Sequence, residues 1–353
     1  MRDLLSDYNR LSASAPVGRA VVTSVWGSAP RAEGSCMLAT TDGRIAGSVS
    51  GGCVESATAV EIAEAIGRGT SKLVTFGVSD ERAWEVGLAC GGTIRVLVEP
   101  AVRPEVLEAA SGPGGVVLAA ALGESAGATM VLRDDGSVSG EIPGLDVAAV
   151  RAAAMNALRR GSSRTEEFTR AEGSAVPVFL EVFPRQPRLV IFGGVHIAAA
   201  LVSMAKLLGY RTIVADGRES FATRERFPDA DELMVAWPAE AFERVRIDSA
   251  TYVCILSHDP KFDEPALEIA LRSPAAYIGA IGSKKTAQGR RERLRAAGFT
   301  ETEVGRLRGP IGLNLGGRQP AETALAILAE MTAARYGATG EELTRGGKGG
   351  GDR

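Results

Sequence analysis

Short apolar runs alternate with helix-like stretches along most of the chain, and the rhythm is most regular from residue 188 onward. There the runs "RLVIF", "RTIVA", "DELMVA", "TYVCIL" and "AAYIGAI" recur at near-even intervals. Strands that alternate with helices in this way predict a doubly wound parallel sheet with helices on both faces. After Pro320, which can open a helix, the positions Ala324, Leu325, Ile327, Leu328 and Met331 recur at helical spacing and predict one buried stripe.

The first hundred residues follow a different pattern. "GRAVVTSVWG" reads as a buried strand. "CMLATTDGRIAGSV" reads as a hairpin around the turn dipeptide Asp42-Gly43. "CVESATAVEIAEAIGRG" predicts a helix closed by Gly67 or Gly69, and "KLVTF" and "TIRVLVEP" are further strands. Between them and the regular region, "GVVLAAAL", "ATMVLRDDGSVSGE" and "PVFLEVF" predict strands, with a helix near Val147 to Arg160. The fold expected is α/β: an N-terminal mixed α/β domain over residues 1–102, an auxiliary region with a linker over 103–187, and a Rossmann-like domain over 188–336. The Gly-rich charged segment 337–353 is expected to be disordered.

Composition narrows the function classes. At 353 residues two domains are the natural prior. A net charge of −3 argues against nucleic-acid or anionic-membrane binding. The longest apolar runs fall short of the roughly 20 residues of a membrane span. "MRDLLSDYNRLSASAP" lacks the layout of a secretory signal, so a cytoplasmic protein is expected. The four cysteines, Cys36, Cys53, Cys90 and Cys254, form no CxxC pair, which excludes the usual zinc spacings and gives no disulfide framework.

Two of those cysteines abut glycine pairs: Gly51-Gly52-Cys53 and Cys90-Gly91-Gly92. Cys53 falls at an expected helix start, where free amides and the helix dipole favour thiolate, the form that binds soft metals. The glycines leave room for a bulky planar ligand. Cys53 and Cys90 are therefore candidate metal ligands, and Cys36 and Cys254, inside apolar strands, are expected in the core. Arg31, in "GSAPRAEGS", can hold an anion.

In the regular region, "LVIFGGVHIAAAL" occupies the strand-to-helix turn where dinucleotide folds carry G-x-G-x-x-G/A. Gly193 is the first glycine, but Val195 stands where the middle one belongs, which weighs against NAD(P). Asp216 ends the second strand at the distance expected for a ribose contact. The two histidines, His196 and His258, fall at the carboxyl edge expected of the sheet, with Asp259 and Lys261 beside the second. The bland alternative for Asp259 is a helix cap. Gly282 and Ser283, followed by Lys284 and Lys285, and the loop at Gly316, Gly317 and Arg318 are expected at the same crevice.

Taken together, "GSAPR", "GSVSGGCVE", "FGVSDERAWEVGLACGG", "VEP", "SHDPKFDEPAL", "IGAIGSKKT" and "GPIGLNLGGRQPAE" resemble, in order, the XdhC/CoxI family. The family's Rossmann turn is usually Gly-Ala-Gly-His, from which Gly193-Gly194-Val195-His196 departs. The resemblance implies an accessory protein that binds molybdenum cofactor (molybdopterin, or its cytosine dinucleotide form). It implies help with sulfuration by a cysteine desulfurase and delivery to a xanthine-dehydrogenase-type or CO-dehydrogenase-type hydroxylase, with a homodimer expected. Two alternatives stand beside it: an NAD(P)-dependent oxidoreductase with His196 or His258 as acid or base, and a non-catalytic adaptor between desulfurase and target enzyme.

Overall fold

A computed structural model describes residues 1–27, 31–77, 92–123 and 127–342. These residues divide into two compact units, 1–185 and 186–342.

The first unit opens with helix α1 (Leu5–Ser12) and then builds a sheet from β1 (Val17–Trp26), β2 (Cys36–Thr40), β3 (Ile45–Gly47), β4 (Lys72–Phe76) and β5 (Thr93–Glu99). All neighbours in the order β3-β2-β1-β5-β4 are antiparallel. Helix α2 (Glu55–Arg68) follows β3 and ends at Gly69, whose left-handed backbone (φ +69°) closes it. Its Ile62 and Ala65 pack with Ala20, Val22, Met37, Ile94 and Val96 on one face of the sheet.

After α3 (Pro104–Ser111) a second antiparallel sheet forms from β6 (Val116–Ala121), β7 (Thr129–Arg133), β8 (Val138–Gly140), β9 (Arg164–Thr169) and β10 (Ala175–Phe183), in the order β8-β7-β6-β10-β9. Helix α4 (Val147–Arg160) covers it through Val150, Ala154 and Ala157. The two sheets meet at Val21, Leu97, Leu122 and Phe179. They also meet at a buried charge: Arg19 of β1, fully buried, donates to Glu99 of β5 at 2.8 Å and pairs with Glu181 of β10. Its Nε points at the Cys36 thiol, 3.4 Å away.

The second unit is the doubly wound sheet that the strand–helix alternation predicts. Its strands are β11 (Arg188–Phe192), β12 (Arg211–Asp216), β13 (Glu232–Val235), β14 (Thr251–Ile255), β15 (Tyr277–Ala280) and β16 (Leu307–Arg308). All run parallel in the order β13-β12-β11-β14-β15-β16. The order reverses between β11 and β14, and such a switch point opens a crevice at the carboxyl ends of the strands. Helices α5 (His196–Leu207) and α10 (Pro320–Tyr336) cover one face. Helices α6 (Pro238–Val245), α7 (Pro260–Arg272), α8 (Lys284–Ala296) and α9 (Glu301–Gly305) cover the other.

One member of the expected α10 stripe is not in the core. Ala324, Ile327, Leu328 and Met331 are buried, but Leu325 is 54% exposed. Those four positions already fill the face toward the sheet, and Leu325 lies about 100° around the helix from Ala324.

Candidate functional site

In the first unit, the segment between β3 and α2 carries Cys53. The helix begins at Glu55, with Val54 as the flanking residue, so Cys53 lies just before the helix. The turn folds around the Glu55 carboxylate. One carboxylate oxygen accepts from the Ser48 hydroxyl (2.6 Å) and the amides of Ser50 (2.9 Å), Gly51 (3.1 Å) and Val49 (3.2 Å). The other accepts from the Ser50 hydroxyl (2.7 Å) and the Gly52 amide (2.8 Å). Each hydroxyl works twice. Ser48 Oγ also accepts from the Gly51 amide, and Ser50 Oγ accepts from those of Cys53 and Val54.

Gly51 (φ +83°) and Gly52 (φ +123°) take backbone conformations that side chains disfavour, which lets successive amides converge on one carboxylate. Burial would raise the Glu55 pKa, but the Ser48 and Ser50 hydroxyls and the converging amides outweigh it and bring the pKa down to about 2. A charged carboxylate fixed by six donors makes this turn rigid. Cys53 is exposed on it, and a Cβ built on Gly52 would meet nothing within 4 Å.

This corrects the sequence-based expectation at two points. Cys53 is not at the helix start, and the amides of Gly51 and Gly52 are not free for a ligand. Glu55 takes them because it is tethered three residues past Gly52, an advantage in effective concentration that no free anion has. Sequence reasoning missed Glu55: Ser50 precedes it by five positions and the residue flanking the helix is Val54, so the S-x-x-E spacing of a capping box is absent.

The rest of the expected first-unit set is scattered in what it shows. Cys90 and Gly91 lie outside the described residues, as does most of "FGVSDERAWEVGLACGG". Gly92 is buried just before β5, and Arg31 is exposed. Cys36 and Cys254 are core residues as expected, and burial pushes both thiols up. Among the described residues, no three His, Cys, Asp or Glu side chains group as metal ligands.

In the second unit the parallel strands bring the other expected residues to one edge. Gly193 (φ +105°) leaves β11 so close to the β14 loop that an added Cβ would lie 2.7 Å from the Ser257 amide nitrogen. His196, first residue of α5, and His258, just after β14, are both exposed. Asp259 is the N-cap of α7 and accepts from the Lys261 amide at 3.0 Å; Lys261 is exposed. The capping alternative therefore describes Asp259, while His258 stands in solvent. Gly282 leads into Ser283, which caps α8 by accepting from the Thr286 amide. Arg318 is exposed, and its amide donates to Glu322 at 2.9 Å, so this part of the Gly316–Arg318 loop serves the capping of α10.

Asp216 departs most from expectation. It is buried, and its two oxygens accept from the Gly194 amide (2.9 Å), the Arg218 amide (3.0 Å) and two guanidinium nitrogens of Arg218 (2.9 and 2.8 Å). Although burial works to raise its pKa, the Arg218 contacts lower it overall. Three of these four donors belong to Arg218, so Arg218, two residues on, takes the carboxylate where a ribose contact was expected. That counts against the dehydrogenase alternative. Behind the edge lies a buried chain that the sequence did not announce: Ser257 donates to Asp263, which pairs with Arg290, which donates to the Ile281 carbonyl. Burial dominates and pushes the Asp263 carboxyl up, against the pull of Ser257 and Arg290.

Comparison with known proteins bears on both units. A family model described as the XdhC and CoxI family matches residues 11–77, and one described as the XdhC Rossmann domain matches 189–331. The chain is 31% identical over 225 residues to the uncharacterized protein YqeB of Escherichia coli (strain K12), covering 60% of this chain and 41% of that protein's length. It is 25% identical over 323 residues to a protein of Bacillus subtilis (strain 168) described as a probable subunit of xanthine dehydrogenase, covering 90% of this chain and 92% of that one. It is 27% identical over 321 residues to the molybdenum cofactor insertion chaperone PaoD of E. coli (strain K12), covering 90% and 84%. Among solved structures it is similar to one described as a xanthine dehydrogenase from Bacillus halodurans, with a TM-score of 0.74 at 25% identity over 98% of this chain and 97% of the other. No helix among the described residues is long and apolar enough to cross a membrane.

Proposed function

The chain belongs to the XdhC and CoxI family, and from that premise we propose that it is a carrier of molybdenum cofactor. It takes the cofactor as cargo, supports its sulfuration alongside a cysteine desulfurase, and delivers it to a molybdenum hydroxylase of the xanthine-dehydrogenase or CO-dehydrogenase type. A cytoplasmic homodimer belongs to the same reading. The relative named as an insertion chaperone supports the cargo, and the one described as part of a xanthine dehydrogenase supports the target.

The observation that carries the reading is the exposed Cys53 on a turn locked by Glu55. A dithiolene-bound molybdenum brings most of its own ligands and is a soft centre, so one presented cysteine sulfur suits it. Open space at Gly52 admits the planar pterin beside that thiol. The amides of residues 49–52 are engaged by Glu55, so the cofactor's phosphate needs a cation, a role proposed for the exposed Arg31. Cys90 is proposed as a second sulfur ligand.

The test is purification of the chain from a molybdenum-replete host, followed by metal and pterin analysis. Near-stoichiometric molybdenum and molybdopterin support the carrier. A chain that carries neither, yet still promotes maturation of the hydroxylase, supports the adaptor instead.

A further inference from the structure

Four of the chain's five tyrosines meet at the end of the second unit's sheet opposite its carboxyl edge. Tyr210 stands just before β12, Tyr252 is the second residue of β14, and Tyr277 opens β15. The parallel register sets Tyr252 directly beside Tyr277. Their ring centres lie 6.2 Å apart with the planes 25° from parallel, and the Tyr210 ring meets Tyr252 edge-on at 5.1 Å. All three are buried under α5 and α10. Burial pushes the Tyr252 phenol up and the Tyr336 phenol adds to the push, so Tyr336, 68% exposed at the end of α10, stands close to the stack.

The three buried phenols are not alike. Tyr277 donates to a Glu330 carboxylate oxygen at 2.5 Å, and the same oxygen accepts from the Gly312 amide at 2.9 Å. Burial, then the neighbouring Cys254 thiol and the Glu330 carboxylate, push the Tyr277 phenol up, so it does not ionise alone at ordinary pH. Oxidation reverses this. A phenol that loses an electron becomes a strong acid, and Glu330 is in contact to take its proton. Among the described residues neither Tyr210 nor Tyr252 hydrogen-bonds a carboxylate. A base already in place makes Tyr277 the easiest of the three to oxidise.

We propose that Tyr210, Tyr252 and Tyr277 form a one-electron relay, in which Tyr277 with Glu330 as its proton acceptor stores an oxidising equivalent taken up at the surface. Electrons pass readily between rings this close. The oxidant is a one-electron oxidant of the peroxyl-radical class, and the exposed Tyr336 is the point of entry. One electron leaves Tyr277 and reduces the peroxyl radical, which takes a proton from solvent and becomes a hydroperoxide. The phenol O–H bond of Tyr277 breaks and its proton passes to Glu330. A neutral tyrosyl radical remains, hydrogen-bonded to the protonated carboxyl group. Tyr210, Tyr252 and Tyr336 hand the electron on and end unchanged. The proposal stands on this stack alone and does not rest on the carrier reading, whose tests concern Cys53.

The experiment is flash oxidation of the full chain by photogenerated ruthenium(III) tris-bipyridine, followed by freeze-quenching and electron paramagnetic resonance. The variants are Tyr277→Phe, Glu330→Gln, Tyr252→Phe and, as a control on α1 of the first unit, Tyr8→Phe. Glu330→Gln keeps a carbonyl for the Gly312 amide but cannot take the proton. The expected result is a long-lived tyrosyl signal in wild type and in Tyr8→Phe that is lost in Tyr277→Phe. Glu330→Gln should shorten its lifetime about tenfold with Tyr277 still in place, the effect of removing one charge-assisted hydrogen bond. Tyr252→Phe should lower the yield of the same signal and leave its lifetime unchanged. Thermal melts accompany each variant, and if Tyr277→Phe is unfolded the other two decide the matter. The proposal is overturned if wild type forms no long-lived tyrosyl signal, if folded Tyr277→Phe keeps the wild-type yield and lifetime, or if Glu330→Gln and Tyr252→Phe both behave as wild type.

Discussion

A single carboxylate, Glu55, holds the cysteine turn together, and its titration follows from its partners. Its folded pKa of about 2 lies below the ordinary 4.5, so its contribution to stability is fully present above about pH 4.5 and is lost as pH falls toward 2. A depression of that size corresponds to about 3 kcal/mol. Glu55→Gln, which can accept fewer of the six donors, should cost about 2–3 kcal/mol in urea unfolding at pH 7. The gap between variant and wild type should narrow at pH 3.5; a gap that stays constant would show that the charge is not what the donors hold. Arg19 poses the opposite problem, a guanidinium with no exposure. Arg19→Met strands Glu181 in the core and leaves Glu99 with Arg103 as its remaining cation, and should cost about 3–5 kcal/mol, measurable by chemical denaturation. Replacing Arg19, Glu99 and Glu181 together by apolar residues should recover much of that loss.

At the scale of elements, the turn from β11 into α5 runs close against the loop after β14. Gly193→Ala asks an alanine to adopt φ +105° with its Cβ 2.7 Å from a backbone nitrogen. It should destabilise by about 2 kcal/mol or more in thermal or urea melts. The start of α10 behaves differently. Leu325 makes no part of the buried stripe, so Leu325→Ala should change stability by less than about 0.5 kcal/mol, while Ile327→Ala, fully buried, should cost about 2–5 kcal/mol. Equal losses for the two would place the helix in a different rotation.

For the molecule as a whole, the doubly wound sheet was legible because its five longer strands are short apolar runs set between helices, and the central β11 and β14 are buried along nearly their whole length. The short β16, Leu307–Arg308, left no such run and was not anticipated. The hairpin at Asp42-Gly43 and the helix at Val147–Arg160 were legible from turn chemistry and periodicity. What the sequence hid were partnerships between distant or differently aimed side chains. Nothing local says that Glu55 turns back onto the Gly51-Gly52 amides, that Asp216 is filled by Arg218, or that Arg19 pairs with Glu181 across 162 positions. These hidden pairs decide which expected ligand contacts are open, and they leave Cys53 as the exposed thiol of the first unit among its described cysteines. The account therefore rests on that thiol, and the most direct measurement is its alkylation by iodoacetamide near neutral pH, followed by mass spectrometry with and without bound cofactor, beside cofactor retention in Cys53→Ser. The account predicts that Cys53 reacts faster than the buried Cys36 and Cys254, that bound cofactor protects it, and that Cys53→Ser keeps its fold but loses most of the cofactor. A Cys53 that reacts equally with and without cofactor, in a protein whose serine variant retains the cofactor in full, would contradict it.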